Sequence, residues 1–227
     1  MSLLFFALAS AAAGFFIWWL LIETEGVYLG KRAVIWLYDR YARRYDRVKQ
    51  FDEYSDQLLL AEPLLDRISP QLDPLILDVA TGTGRLPLLL AGNGRFHGHV
   101  VGLDHSRNML AVAATKIKQG RFDPFISLVR GDAMDLPFPD GAFHAVACLE
   151  SLEFFPDPDA ALAEMARVLR PGGILLTSNR IDTRWMPGRT PTRAQMSRNL
   201  SACNMVSFEF AIWQDDYDQV WARKADT

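Results

Sequence analysis

Cysteine is scarce in this sequence. Only Cys148 and Cys203 occur among its 227 residues. They are far apart in the chain, and no other potential ligands surround them at the spacings that metal sites or disulfide frameworks require. We therefore expect both to be packing residues and predict no metal site.

An excess of positive charge is also missing, because the formal net charge is -3 at pH 7. Proteins that bind nucleic acids usually carry surplus Lys and Arg, which displace counterions from the phosphates. The composition thus argues against a nucleic-acid partner. It favours a small molecule or a lipid.

Charged residues are absent altogether between Leu3 and Ile22. A helix of about 20 residues spans about 30 Å, the thickness of the hydrocarbon core of a bilayer. Trp18 and Trp19 lie near one end, where interfacial anchors occur. We predict a single transmembrane helix. A cleaved secretory signal is the alternative, but its basic leader is missing and its apolar run would be shorter.

Basic residues follow this apolar segment and do not precede it. They are Lys31, Arg32, Arg40, Arg43, Arg44, Arg47 and Lys49. Positive residues flanking a span usually stay in the cytoplasm, so we expect the rest of the chain on the cytoplasmic side of the membrane. These side chains either face solvent or lie against anionic headgroups.

We divide the chain into an anchor with a short linker, residues 1–30, and one domain, residues 31–227, whose residues 31–70 form helices. Beyond Pro74, short apolar runs alternate with helical stretches, which is typical of a parallel sheet covered on both faces. The predicted strands are 75–79, 100–104, 125–130, 143–149 and 174–178, followed by a closing hairpin of 206–213 and 217–222. Ser106 is expected to cap the second helix between these strands and Gly120 to end it.

A glycine-bearing turn follows the first predicted strand in the sequence LDVATGTGRL, which starts at Leu77. Gly82 and Gly84 leave no side chain at the bend, so a nucleotide-like ligand can approach the backbone amides there. The turn is not a phosphate-binding Walker loop, because no Gly-Lys-Ser/Thr follows it. Pro87 stands where the dinucleotide pattern has its third glycine.

An acidic residue, Asp104, ends the second predicted strand about 20 residues after the turn, where a carboxylate can bind both hydroxyls of an adenosine ribose. An NAD-dependent oxidoreductase would share the turn and this acid. It would not account for Asp132 in VRGDAMDLPFP, placed to meet an adenine edge, or for the later LRPGG block.

Residues 77–179 closely resemble the class I S-adenosylmethionine-dependent methyltransferases, in particular the group that includes ubiquinone and menaquinone C-methyltransferases and phospholipid N-methyltransferases. The resemblance implies a Rossmann-like, seven-stranded, mostly parallel sheet with an antiparallel C-terminal hairpin, and S-adenosylmethionine as the cofactor. It also implies that the N-terminal helices cap the site. The implied cofactor-binding residues are Tyr45, Asp78, Thr81, Gly82, Gly84, Arg85, Asp104, Ser106, Met109, Asp132, Ala133 and Leu149.

The sequence departs from this family at three positions. Ala80 replaces the first glycine of the turn, His144 stands where Asp is usual, and Phe154 stands where many relatives have His. The last change leaves the general base unassigned. We name Glu150, Glu153 and His144 as candidates, although His144 is expected to be structural.

The acceptor is expected to be a small lipophilic or membrane-associated molecule, either quinone-like or a lipid. Residues 179–198 are predicted to form a lid for it, with a face that meets a lipid or an anionic headgroup or is solvated. A catalytically inactive, membrane-tethered scaffold is the alternative to an enzyme.

Overall fold

The N-terminal segment is helical in the computed structural model, which describes residues 2–182 and 184–226. Helix α1 is Ser2–Trp18, and one π-helical turn, Trp19–Glu23, continues it. Within the described residues, Leu4–Glu23 is the one helical segment long and apolar enough to cross a membrane. No residue of that segment is buried in the protein.

A group of short helices follows, and the last of them packs on one face of the sheet. They are α2 (Lys31–Tyr41), α3 (Tyr45–Lys49), α4 (Glu53–Asp56) and α5 (Glu62–Ile68). A 3-10 turn, Ala42–Arg44, joins α2 to α3, and a π-helical turn, Gln57–Ala61, joins α4 to α5. Two helices were expected here. Gln50 ends α3 in a left-handed conformation, and the Asp52 side chain accepts from the Tyr54 N–H at 3.2 Å to begin α4. We call residues 31–68 the cap.

The sheet has seven strands. They are β1 (Leu75–Val79), β2 (His99–Asp104), β3 (Ile126–Arg130), β4 (Phe143–Cys148), β5 (Leu169–Arg180), β6 (Met205–Ile212) and β7 (Tyr217–Lys224). Their spatial order is β3-β2-β1-β4-β5-β7-β6. The first five are parallel, and β7 is antiparallel to both neighbours. The predicted fold class and closing hairpin are confirmed.

Four helices connect the strands: α6 (Arg85–Ala91), α7 (Arg107–Gly120), α8 (Pro158–Val168) and α9 (Arg193–Ala202). The Ser106 hydroxyl caps α7 as predicted, accepting from the Met109 N–H at 3.1 Å. Gly120 is the last residue of α7, as predicted. Arg121 adopts the left-handed conformation that ends α7.

The core lies on both faces of the sheet. Alternate residues of a strand point to opposite faces, so Leu77 and Val79 join one apolar cluster while Ile76 joins the other. Both clusters are closed to solvent, which holds the strand ends that carry polar side chains in fixed positions.

Candidate active site

The main cleft lies beyond the carboxyl ends of the strands. Strand order reverses between β1 and β4, and ligands of open α/β sheets bind at such a switch point. The cleft encloses about 1110 Å³ of empty space, including its open part. The loops after β1, β2, β3 and β4 line it, and the cap covers it.

The turn after β1 presents bare backbone to this cleft. Gly82 and Gly84 have positive φ angles of 55° and 84°. A Cβ added to Gly82 would meet no atom within 4 Å and would stand in open space. One added to Gly84 would lie 3.3 Å from the Ala113 side chain. Gly82 therefore leaves room for a ligand, whereas Gly84 allows close packing against α7.

Asp104 is held in place at the end of β2. Its Oδ2 accepts from the Gly82 N–H and its Oδ1 from the Ser106 N–H, both at 2.8 Å. Each carboxylate oxygen has a second acceptor site, so both remain able to bind ribose hydroxyls. Beside it, His105 lines the cleft and has a buried Nδ1 without a partner among the described residues. These features, with the open space at Gly82, fit an adenosine.

Asp78 lies at the base of the cleft and is almost fully buried. Its Oδ2 accepts from the Thr81 hydroxyl at 2.5 Å. Burial raises the pKa of Asp78 to about 7, although the bond from Thr81 opposes this rise. The nearby carboxylate of Asp104 acts in the same direction as burial. A cation bound near Asp78 would favour its ionised form.

The cap is bonded to the loops after β1 and β2. The Thr83 hydroxyl donates to Asp46 at 2.5 Å, and Lys116 donates to the other oxygen of Asp46 at 2.7 Å. The Ser106 hydroxyl donates to Asp39 at 2.5 Å. Two acidic residues of the cap thereby fix the glycine turn and the start of α7.

Two lysines of the cap reach the loops after β3 and β4. Lys31 forms an ion pair with Asp132, and Lys49 Nζ lies 3.1 Å from Glu150 Oε2. Burial is the largest single influence on the pKa of Asp132 and raises it, but the bond and charge of Lys31 and the bond from the Met134 N–H together lower the pKa. The cap is thus attached by a charged side chain to each of the four loops that line the cleft.

Arg85 joins the cap to the loop after β4. Its Nε and Nη2 donate to the two oxygens of Asp56 at 2.7 and 2.6 Å. Its Nη1 donates to Glu150 at 2.7 Å. Burial would raise the pKa of Glu150, but Lys49 and Arg85 lower it. Glu150 is therefore a weak base that is held by two cations.

The remaining wall of the cleft is aromatic. Tyr38 and Tyr45 of the cap lie with ring centroids 6.1 Å apart, and Tyr38 makes an edge contact with Phe154 at 6.2 Å. Phe51 and Phe155 also line the cleft. An aromatic wall next to a polar nucleotide-sized region suits a flat, lipophilic second ligand.

Most of the sequence-predicted cofactor residues line this cleft. They are Tyr45, Asp78, Thr81, Gly82, Arg85, Asp104, Ser106, Asp132, Ala133 and Leu149. Gly84 and Met109 do not line it. Met109 belongs to the first turn of α7 and is fully buried. Among the catalytic candidates, only Glu150 faces the cleft.

The structure contradicts His144 as a catalytic candidate. His144 belongs to the amino-terminal part of β4, and its Nδ1 accepts from the backbone N–H of Leu75, the first residue of β1, at 3.0 Å. It therefore lies at the end of the sheet opposite the cleft. Burial is the largest cause of its lowered pKa. Its role is structural, since it satisfies an amide at the start of β1.

Glu153 is buried behind the cleft wall and is 3% exposed. It accepts a hydrogen bond from the Tyr217 hydroxyl. Burial raises its pKa, although the bond from Tyr217 opposes the rise. Glu153 therefore does not line the cleft, and the structure does not favour it as a general base.

The arginines of residues 179–198 are mostly bonded within the protein. Arg184 pairs with Asp182 and Arg193 with the buried Asp218, each at 2.7 Å. Arg189 donates to the backbone oxygens of Phe155 and Val27. The sequence left open whether this face meets a lipid or an anionic headgroup or is solvated, and in the structure most of these positive charges hold the segment in place.

The sequence predicted that the N-terminal helices cap the site and that Tyr45 contacts the cofactor, but it did not predict the bonds that attach the cap. One signal was available. Lys31, Val34, Ile35 and Tyr38 recur at the spacing of a single helix face, and all four line the cleft. Their apolar members were used to predict a helix, but the face was not assigned to a site. Within the described residues, no group of His, Cys, Asp or Glu is arranged to hold a metal ion.

Comparison with known proteins accounts for this geometry. A family model described as a methyltransferase domain matches residues 77–177, from β1 into β5, including the glycine turn, Asp104 and Asp132. This segment is a class I S-adenosylmethionine-dependent methyltransferase domain. The match indicates S-adenosylmethionine as the cofactor and favours a methyltransferase over an NAD-dependent oxidoreductase for this segment.

The chain is similar to a demethylmenaquinone methyltransferase of Anoxybacillus flavithermus, with 36% identity over 137 residues. That similarity covers 60% of this chain and 57% of the relative, so the chain spans less than two thirds of that protein's length.

Two solved structures resemble a large part of this chain. A SAM-dependent methyltransferase from Aquifex aeolicus has a TM-score of 0.64 at 19% identity, covering 82% of this chain and 97% of that one. The [4+2]-cyclase SpnF has a TM-score of 0.64 at 24% identity, covering 74% and 80%. At these identities the likeness shows the fold alone, and the two named activities differ.

Proposed function

We propose that this chain transfers a methyl group from S-adenosylmethionine to a small lipophilic, quinone-like acceptor at a membrane. The observation that carries the proposal is the single cleft with two kinds of wall. Asp104 and the bare backbone at Gly82 form its polar part. The aromatic side chains around Tyr38 and Phe154 form the other part.

The polar part of the cleft would hold the cofactor. We assign Asp104 to the ribose hydroxyls, Asp132 and His105 to the adenine, and the Gly82 turn with Asp78 to the methionine portion. Lys31 already bonds Asp132, so the first turn of α2 would lie beside the adenine. Tyr45 and the cap would exclude water from the bound molecule.

S-adenosylmethionine supplies an electrophilic methyl group on a sulfonium. The protein's contribution is then alignment of the acceptor and exclusion of water, and positioning can supply about 7–11 kcal/mol of barrier reduction. The aromatic wall would fix the plane of the acceptor. The four charged attachments of the cap would keep that wall at a constant distance from the glycine turn.

Glu150 is assigned to holding the cap and not to abstracting a proton. Its pKa is lowered by Lys49 and Arg85, and a general base works best when its pKa is near the working pH. The two cleft carboxylates with raised pKa values, Asp78 and Asp104, are assigned to the cofactor. This arrangement favours an acceptor that reaches the site already activated for methylation.

The acceptor class rests on similarity and on the anchor. The relative described above is named for demethylmenaquinone, a lipophilic quinone. Leu4–Glu23 would cross the membrane once, and the basic residues after it would keep residues 31–227 on the cytoplasmic side. The cleft would then work close to the membrane that holds the acceptor.

Labelled S-adenosylmethionine tests the proposal directly. The full chain in nanodiscs, incubated with a membrane lipid extract, should produce a labelled lipophilic product, and Asp104→Ala should abolish it. The exposed Asp123→Ala serves as the matched control and should behave as wild type. A chain that binds the cofactor but labels no extract component would instead be a tethered scaffold.

A further inference from the structure

Helix α2 has two faces with different surroundings. Its inner face lines the cleft through Lys31, Val34, Ile35 and Tyr38. Asp39 adds the bond to Ser106 described above. This single helix therefore forms part of the cleft wall and contributes two of the cap's charged attachments.

The outer face of α2 and of the 3-10 turn that follows it carries a stripe of Arg32, Trp36, Arg40 and Arg43. The intervals of four, four and three residues place them along one side of a helix. All four are exposed, and Trp36 is 60% exposed. Within residues 2–182 and 184–226, none of the three arginines makes a hydrogen bond or ion pair. We call these four residues the α2 stripe.

The side chains of the α2 stripe match the chemistry of a lipid headgroup region. A tryptophan ring is favoured at the membrane interface, where its body is in apolar surroundings and its N–H remains hydrated. Arginine bonds phosphate in a bidentate manner and lays its methylene stem along apolar surface. A stripe that only needed to be soluble would have no use for an exposed Trp.

The α2 stripe follows closely on the apolar N-terminal helix, and this proximity supports a membrane as its partner. The Trp19 indole donates to the backbone oxygen of Trp185 at 2.9 Å, and the Tyr28 hydroxyl to that of Pro187 at 2.7 Å. These bonds hold the end of the apolar helix against the catalytic domain. Helix α2 begins shortly afterwards, at Lys31. The stripe is also basic in a chain with a net charge of -3.

We propose that the α2 stripe binds an anionic lipid surface and that this contact stabilises the cap over the cleft. The proposal rests on the membrane placement proposed above. Because α2 is one rigid element with both faces engaged, binding at the stripe and binding in the cleft are reciprocally coupled. Lipid contact would strengthen cofactor binding, and bound cofactor would strengthen lipid contact.

The experiment uses the full chain in nanodiscs of phosphatidylcholine, with or without phosphatidylglycerol, carrying lipids brominated on the acyl chain. Tryptophan fluorescence of wild type minus that of Trp36→Phe isolates quenching at position 36. Calorimetry with S-adenosylhomocysteine, the demethylated cofactor, measures the affinity of the cleft for this ligand. Both measurements are repeated on Arg32→Ser/Arg40→Ser.

We expect quenching of Trp36 in discs that contain phosphatidylglycerol and much less in phosphatidylcholine alone. The affinity for S-adenosylhomocysteine should rise at least about fivefold with the anionic lipid, the lower end of usual coupling between two sites. In Arg32→Ser/Arg40→Ser, quenching of Trp36 and the affinity for S-adenosylhomocysteine should be the same with and without phosphatidylglycerol. The control Lys118→Ser/Arg121→Asn removes two exposed positive charges at the far end of α7 and should retain both lipid-dependent differences.

Quenching that is equal in the two lipids, or that survives loss of both arginines, would overturn the proposal. Lipid-dependent quenching with an unchanged affinity would overturn the coupling. Failure of the proposed function looks different, because S-adenosylhomocysteine would then bind in neither disc while the quenching measurement still reports on the stripe.

Discussion

Removal of the Arg85 guanidinium should destabilise the protein severely. Arg85 is only 15% exposed and is bonded to Asp56 and Glu150, whose side chains are 6% and 8% exposed. Its guanidinium also lies 4.0 Å from the centre of the Phe51 ring. Within the described residues, Arg85 alone bonds the carboxylate oxygens of Asp56. Glu150 keeps Lys49 and Gln214 as partners.

The cost of Arg85→Ala therefore falls mainly on Asp56, which would be left as an unpaired charge in the interior. Breaking a buried ion pair by removing one partner costs about 3–5 kcal/mol. For a domain of this size, 1 kcal/mol shifts Tm by about 2–4 °C. We expect Arg85→Ala to unfold about 6–20 °C below wild type.

Thermal unfolding of the full chain in nanodiscs, followed by near-ultraviolet circular dichroism, gives the comparison. The exposed Arg198→Ala is the control and should change stability by less than about 0.5 kcal/mol. The double variant Arg85→Met/Asp56→Leu should be more stable than Arg85→Ala, since apolar groups of similar volume can replace a buried pair. Arg85 would not hold the cap as described if Arg85→Ala lowered the free energy of unfolding by less than about 1 kcal/mol, or if the double variant were less stable than Arg85→Ala.

Three further predictions concern single side chains. Asp104→Ala should weaken S-adenosylhomocysteine binding at least tenfold in calorimetry, because each hydrogen bond to a charged group contributes about 1.5–3 kcal/mol; an unchanged Kd would remove Asp104 from the ribose. Asp78 has a folded-state pKa raised to about 7, so its stabilising contribution is present at low pH and lost as pH rises through 7. Binding of cationic S-adenosylmethionine should accordingly release a proton from Asp78 below about pH 7, and the affinity should increase as pH rises to that value. In the same titrations, the affinity of Asp78→Asn should not depend on pH over this range. Tyr217→Phe should lower the free energy of unfolding by about 1–3 kcal/mol, because it leaves buried Glu153 without its donor, and should leave the affinity for S-adenosylhomocysteine as it is; a weakened affinity would place Glu153 in the site.

The strands and the polar residues that end them were predictable because both depend on local sequence. Each strand is a short apolar run, and Asp104 follows one directly. The start of α7 was predictable for the same reason, since Ser106 bonds an amide three residues away. The end of α7 at Gly120 was also predictable, although the left-handed conformation there belongs to Arg121 and not to the glycine.

Long-range ion pairs were not predictable in the same way. Lys31 and Asp132 are distant in sequence, as are Arg193 and Asp218. A charged residue is predicted to lie at the surface unless its ion-pair partner is known. This is why the arginines of residues 179–198 suggested an anion-binding face. His144 was a candidate only by its position in the chain, and the direction of β4 determines which end of the sheet it occupies.

The central claim is that the cleft at the carboxyl ends of β1, β2 and β3 binds an adenosine that carries a methionine tail. Calorimetric titration of the intact, folded chain in nanodiscs with S-adenosylhomocysteine tests it most directly. We predict saturable binding of one molecule per chain. A folded chain that gives no binding heat with either S-adenosylhomocysteine or S-adenosylmethionine across a range of temperatures would contradict the account.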